Sequence, residues 1–251
     1  MDEPIPVKSV GTTFEILQAI SREGPIRFSD LAAKLDLPKS TVYDHLRSLR
    51  RLGYVHETDD GYQVSFEFLL LGDRRRHKTD LFMNARREME ELATETGEHA
   101  SLVVEEGGTG RAIYTIKGES PVEFKVYDGT QSHLGSTAPG RTILANLPRD
   151  RVNAVLDEHG VPEEGPETDR EELFSALEDV RDAGYAVDEG SAIHGMNGVG
   201  VPIIDRQGTV RGAISVYGPV GRMSPDRMNG DLVGALREKA NIIELNLDLT
   251  N

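Results

Sequence analysis

Leu37-Pro38-Lys39-Ser40-Thr41-Val42-Tyr43-Asp44-His45-Leu46-Arg47-Ser48-Leu49-Arg50-Arg51-Leu52-Gly53-Tyr54-Val55 is the stretch that decides the fold. At about 100° per residue, Val42, Leu46, Leu49 and Gly53 share one stripe of a helix. The helix starts near Pro38 or Lys39, and Gly53 can terminate it. It must bury that stripe, so the opposite face points to solvent: Ser40, Asp44, Arg47 and Arg51, flanked by Thr41, Tyr43 and Ser48. Residues 38–51 hold four cations (Lys39, Arg47, Arg50, Arg51) and one anion, Asp44. Cations for phosphate or guanine, hydroxyls for phosphate and a tyrosine are the groups a recognition helix presents to a major groove. The candidate DNA-binding residues are therefore Lys39, Ser40, Thr41, Tyr43, Asp44, Arg47 and Arg51. Taken alone, the same face could be the solvated side of a structural helix. Asp44 could accept from a cytosine amino group or pair with Arg47 three residues on, and the pairing is expected.

The flanks fix the context. Upstream, Phe14, Ile16, Leu17 and Ile20 fit an amphipathic helix ended by Gly24-Pro25. Ser29 is placed to cap a second helix with Leu31, Ala32 and Leu35 inward, broken by Asp36-Leu37-Pro38. Downstream, Tyr54-Val55-His56 and Tyr62-Gln63-Val64 alternate, and Thr58-Asp59-Asp60-Gly61 between them is a hairpin signal. Helix, helix, short turn, helix, hairpin is the order of a winged helix-turn-helix.

Charge is divided along the chain. The 251 residues suit one or two domains, and 37% apolar with 28% charged residues suits a globular protein. The net charge of −15 argues against nucleic-acid binding at first sight. Yet residues 1–78 hold 12 acidic and 12 basic residues, whereas residues 79–251 hold 31 acidic and 16 basic. The first module has shed the acidity that would repel phosphates. Only 7 of the cations are Lys against 21 Arg. Together with the acidic excess, that looks like adaptation to high internal salt, as in a halophilic archaeon; an ordinary acidic protein is the alternative. The absence of Cys excludes disulfides, thiolate nucleophiles and Cys-based zinc sites. No run approaches the roughly 18 apolar residues of a membrane span, and residues 1–6 carry no leader pattern, so a cytoplasmic protein without a membrane partner is expected.

Between the modules, Phe66, Phe68, Leu69, Leu70 and Leu71 precede the basic run Arg74-Arg75-Arg76-His77-Lys78, which is either a solvated linker or a contact to DNA backbone. A helix is expected over 81–95, with Phe82, Ala85, Met89 and Leu92 inward. Strands are expected over 99–104, 112–116 and 122–126, and helices over 140–147, 151–159 and 170–184. A hairpin of 199–204 and 210–217 and a closing helix over 226–247 follow. This pattern is that of an α+β sensor domain.

Several stretches together resemble the IclR family of transcriptional regulators: 37–43 with 49–55, Ser9-Val10, Ser136-Thr137-Ala138-Pro139-Gly140-Arg141, 184–189, Gly195 to Ile203, and 213–219. The resemblance runs over nearly the whole chain in order. It implies a winged helix-turn-helix domain (7–68) and a helical linker (about 69–80) leading into a GAF-like α/β effector-binding domain (69–251). It further implies a homodimer on a palindromic DNA operator, with pairing into tetramers left open, and a small-molecule effector, a carboxylate or sugar-derived metabolite. Carried over position by position, the effector site comprises Ala138, Pro139, Gly140, Asp188, Met196, Gly198, Ser215 and Tyr217, and backbone N–H groups of the 136–141 turn could hold a carboxylate. Three positions depart from the family pattern: Pro139 removes an N–H, Gly198 stands where some members carry Cys, and Tyr217 is bulky where a small hydroxyl residue is common. Gly198 and Gly200 could instead be bulge residues and Tyr217 a core residue.

No enzyme is expected. His133, Ser136, Asp188 and His194 have triad residue types but no G-x-S-x-G, no phosphate loop and no paired-His spacing supports catalysis, a metal or a cofactor. The alternative function is a ligand-independent architectural or partner-binding DNA protein with a vestigial sensor domain.

Overall fold

The computed structural model describes residues 5–119, 126–163, 165–191 and 193–250. They form two compact units, 1–75 and 76–251.

In the first unit, α1 (Lys8–Glu23) buries Ile16, Leu17, Ala19 and Ile20 and ends at Gly24. Phe14, expected inward, is exposed, because at about 100° per residue it lies outside the arc that those four residues cover. α2 (Phe28–Leu35) begins one residue before Ser29, with Arg27 as N-cap. Ser29 therefore sits inside the first turn and its Oγ donates to Asp30 Oδ1 (3.1 Å) instead of capping. Asp36 takes the left-handed conformation, φ 50°, and turns the chain into α3 (Lys39–Leu52). α3 buries Val42, Leu46 and Leu49, the stripe its periodicity requires. Thr13 Oγ1 and His45 Nδ1, 2.8 Å apart, tie α1 to α3.

β1 (Val55–Thr58) and β2 (Gly61–Val64) form the wing, with Thr58 opposite Gly61. Gly61 has φ 134°, and a Cβ there would lie 2.4 Å from the Ile26 carbonyl oxygen. Only glycine lets the wing close on the α1–α2 segment through Ile26 N–H to Tyr62 O (3.0 Å) and Tyr62 N–H to Ile26 O (2.8 Å). α4 (Glu67–Arg76) follows and buries none of its residues.

In the second unit, α5 (Asp80–Thr96) leads into β3 (His99–Glu106) and β4 (Thr109–Ile116). Residues 122–125 of the expected third strand lie outside the described residues, and Val126 is in a loop. That loop is bound to β4 by Gly129 N–H to Ala112 O (2.7 Å) and Ala112 N–H to Thr130 O (2.9 Å). Next come β5 (Gln131–His133), a 3-10 turn (Leu134–Ser136), α6 (Ala138–Asn146), α7 (Arg149–His159), α8 (Arg170–Ala183) and β6 (Ala186–Asp188). β7 (Met196–Ile204) and β8 (Val210–Pro219) form the expected hairpin. The closing helix is broken: α9 (Pro225–Arg227) runs through a π turn (Met228–Leu232) into α10 (Val233–Thr250).

The strands make one antiparallel sheet in the order β5-β4-β3-β8-β7-β6. α5 and α10 cover one face over a core that includes Met89, Leu92, Val201, Ile214, Leu236 and Ile243. α6, α7 and α8 cover part of the other over Leu134, Ile143, Leu144, Val155 and Leu173. Among the described residues no helix is long and apolar enough to cross a membrane.

Candidate nucleic-acid interface and effector cavity

The solvent face of α3 is assembled by the burial of its other side. Lys39, Ser40, Tyr43, Asp44, Arg47 and Arg51 are exposed and Thr41 is half-buried. Arg50 is tethered to Glu57 on the wing at 2.5 Å, whereas Lys39, Arg47 and Arg51 have no ion pair among the described residues. Ser48 is less available than the sequence suggests, since its hydroxyl donates to Asp44 O within the helix (2.8 Å). The expected Asp44–Arg47 pair does not form among the described residues. Such an exposed pair is worth only tenths of a kcal/mol, so hydration of both groups wins. The result is three cations without an ion pair among the described residues, hydroxyls and a phenol on one convex face.

In the second unit a cavity of about 680 Å³ opens on the sheet face beside α6. That is a size suited to a small metabolite. Its floor follows from strand register. His99 pairs with Tyr217, Tyr217 with Gly198 and Gly198 with Asp188 across four adjacent strands. Ser101 pairs with Ser215, and Ser215 with Gly200, in the next row on the same face. Residues in register share a face, so Asp188 and Tyr217 flank a bare strip at Gly198.

Gly200 has a different use. A Cβ there would lie 2.8 Å from Pro139 N and 3.0 Å from Ala138 C, so glycine lets the start of α6 rest on the sheet. The β7 irregularity falls at Ile203/Ile204, so Gly198 and Gly200 are not bulge residues. Tyr217 is half-buried and lines the cavity instead of filling the core. Burial first, and then the Asp128 charge, push its pKa up, which keeps the hydroxyl protonated. Its ring stacks on His99 at 5.3 Å and 18°. Burial lowers the pKa of His99, whose Nδ1 accepts the Gly118 N–H (3.1 Å).

Ala138, Pro139, Asp188, Met196, Gly198, Ser215 and Tyr217 all line the cavity, and Gly140 does not. A Cβ at Gly140 would lie 2.3 Å from the Leu134 carbonyl oxygen, so that glycine admits the 3-10 turn and does not face a ligand. The sequence reading missed Ser101, Val103, Ala112, Val126, the 130–133 stretch and Ile193. Ser101 had a signal: it faces Ser215 across the β3–β8 pair, and their hydroxyls are 2.8 Å apart.

The start of α6 is poor in free donors. Pro139 has no N–H, and the Gly140 N–H is capped by Thr137 Oγ1 (3.1 Å). Among the described residues this leaves Ala138 as the open amide of positions 138–140. The triad types do not assemble. His133 accepts the Gly135 N–H at Nδ1 (3.0 Å) and faces the Gly160 carbonyl with Nε2 (3.1 Å), so Nε2 holds the proton and both nitrogens are committed. Ser136 Oγ donates to the His133 carbonyl (3.0 Å), and His194 is exposed and does not line the cavity.

Comparison with known proteins matches residues 9–59 to the IclR helix-turn-helix domain and residues 74–245 to the bacterial transcriptional regulator IclR C-terminal domain. The chain belongs to the IclR family. As an IclR-family protein it is a DNA-binding transcriptional regulator with a C-terminal domain that binds a small-molecule effector. It is similar to the probable HTH-type transcriptional regulator ArcR of Halobacterium salinarum, 34% identical over 98% of this chain and 96% of that protein. That likeness agrees with the salt-adapted composition. It is also similar to the HTH-type transcriptional regulator KdgR of Escherichia coli, 32% identical over 90% of this chain and 88% of that one. Among solved structures, the IclR protein of Thermotoga maritima superposes with a TM-score of 0.81 at 27% identity, covering 96% and 98% of the two chains.

Proposed function

We propose that this IclR-family regulator, and not a catalyst, binds a palindromic operator as a homodimer. The DNA-binding domain spans 7–68, and the effector domain spans 69–251 with the connector at about 69–80. Lys39, Ser40, Thr41, Tyr43, Asp44, Arg47 and Arg51 meet the DNA. Arg47 and Arg51 reach the centre of the groove and Lys39 the phosphates. The observation that carries this reading is the α3 face, on which three cations have no ion pair among the described residues while Arg50 is held by Glu57. The effector sits on the Asp188–Gly198–Tyr217 row beneath the start of α6. To regulate, it must bind the DNA-competent and DNA-incompetent states unequally.

Selection of random DNA duplexes by the purified chain at molar KCl tests the proposal. The expected product is a two-fold symmetric site with half-site centres about 10 base pairs apart. Recovery of asymmetric or unrelated sequences would count against the dimeric, sequence-reading mode and for an architectural one.

A further inference from the structure

Asp188, whose Oδ1 accepts the Ser191 N–H (2.8 Å), carries the negative charge of the described cavity wall. Among the described residues that line it, Asp188 is the one carboxylate, and neither Lys nor Arg is present. A helix start can hold an anion on its backbone amides without any cation, but at α6 that device is largely spent. Pro139 lacks the N–H and Thr137 Oγ1 occupies the Gly140 N–H. An acid entering this cavity would lose its hydration against a mostly apolar wall and face Asp188, and among the described residues it would gain one open helix amide and neutral groups such as Ser132 and Gln131 but no cation in return.

The row geometry also says what would fit. Asp188 and Tyr217 stand on the two strands flanking Gly198, about 10 Å apart by two strand spacings. A ring or chain of five or six carbons bridges that gap. It can donate a hydroxyl to Asp188 at one end and exchange a hydrogen bond with the Tyr217 hydroxyl at the other. Its C–H faces would rest on Gly198, Met196 and Pro139.

We infer that the effector is an uncharged, hydroxylated molecule, a sugar or polyol, and not its acid counterpart; this rests on the reading of the cavity as the effector site.

Equilibrium dialysis of the full chain tests it, with mass-spectrometric readout. The probes are three neutral and acid pairs (D-glucose and D-gluconate, D-xylose and D-xylonate, D-galactose and D-galactonate) and a small-molecule extract of the host cell. The expected result is at least tenfold enrichment of one or more neutral hydroxylated compounds. Asp188→Asn should lower that enrichment at least tenfold, with an unchanged unfolding midpoint in the unliganded protein. Retention of acids or amines alone, or of nothing, overturns the assignment, as does neutral binding that Asp188→Asn leaves intact. Operator binding measured with the retained compounds separates the two layers. An acid that alters DNA affinity leaves the effector reading standing and removes the ligand class. A neutral compound that binds at Asp188 without altering DNA affinity supports the class and removes the effector role.

Discussion

Gly200→Ala probes the contact that shapes the cavity. The added methyl would meet three backbone atoms of α6, Pro139 N at 2.8 Å and Ala138 C and Pro139 Cα at 3.0 Å. Real Cβ contacts fall near 3.4–4 Å, so β7 and the start of α6 must separate by roughly half an ångström or more. None of these atoms belongs to a flexible side chain that could swing away. Overpacking a close-fitting contact of this kind costs about 1–3 kcal/mol. For a unit of this size, that lowers Tm by about 2–4 °C per kcal/mol, or roughly 2–12 °C in all. The assay is urea denaturation and a melting curve on the full chain, with two controls. Gly221→Ala has nothing within 4 Å and should be neutral. Gly198→Ala meets Tyr217 Cβ at 3.4 Å, so it should leave stability nearly unchanged while narrowing the cavity floor and weakening effector binding. If Gly200→Ala is as stable as Gly221→Ala, α6 does not rest on β7 as described and the account of the cavity is wrong.

Other consequences are independent of that contact. Lys239 is buried against Glu91 (2.8 Å), Glu95 (3.1 Å) and Glu88 (3.7 Å) between α10 and α5. Burial disfavours its charge, but the hydrogen bonds it donates to Glu91 and Glu95 outweigh that and raise its pKa. Lys239→Met leaves Glu88 buried without its cation and should cost about 3–5 kcal/mol by denaturation. The Lys239 hydrogen bond also holds Glu91 below its ordinary pKa. Its stabilising effect is therefore full above the unfolded carboxylate pKa and fades as pH falls through the lowered folded value. The acid limb of the stability curve should be shallower in Lys239→Met, and parallel limbs would show that the cluster is not coupled. On DNA, Arg47→Ala should lower specific affinity by about 1–3 kcal/mol in a gel-shift titration. Arg50→Ala should lower it less, because Glu57 already engages that guanidinium; a larger Arg50 effect contradicts the assignment. If the chain works at molar salt, where the Debye length is about 3 Å, operator affinity should fall only gently with KCl; a steep fall would show that phosphate attraction dominates.

Much of this architecture is legible in the sequence, and the exceptions have physical causes. α3 could be read because burial of Val42, Leu46 and Leu49 imposes the 3.6-residue period on the chain. The β7–β8 hairpin could be read because Asp205-Arg206-Gln207-Gly208 sits between two apolar runs. Gly140 misled because a glycine that faces a ligand and one that admits a carbonyl look alike in sequence; only the Leu134 contact distinguishes them. Ser29 misled by two residues, since Arg27 takes the N-cap position without a side-chain hydrogen bond. Ser101 escaped notice because strand alternation identifies a face but not what covers it, and only the structure sets that face against the start of α6. The break at Met228–Leu232 leaves the apolar spacing of the closing helix almost intact, so periodicity alone could not reveal it.

Genome-wide DNA occupancy in the native host, at its own internal salt, tests the central claim most directly when wild type is compared with Arg47→Ala. The account predicts a few sharp peaks over a shared two-fold symmetric sequence, and their loss in the variant. Broad occupancy, or sharp peaks that Arg47→Ala leaves in place, would contradict it.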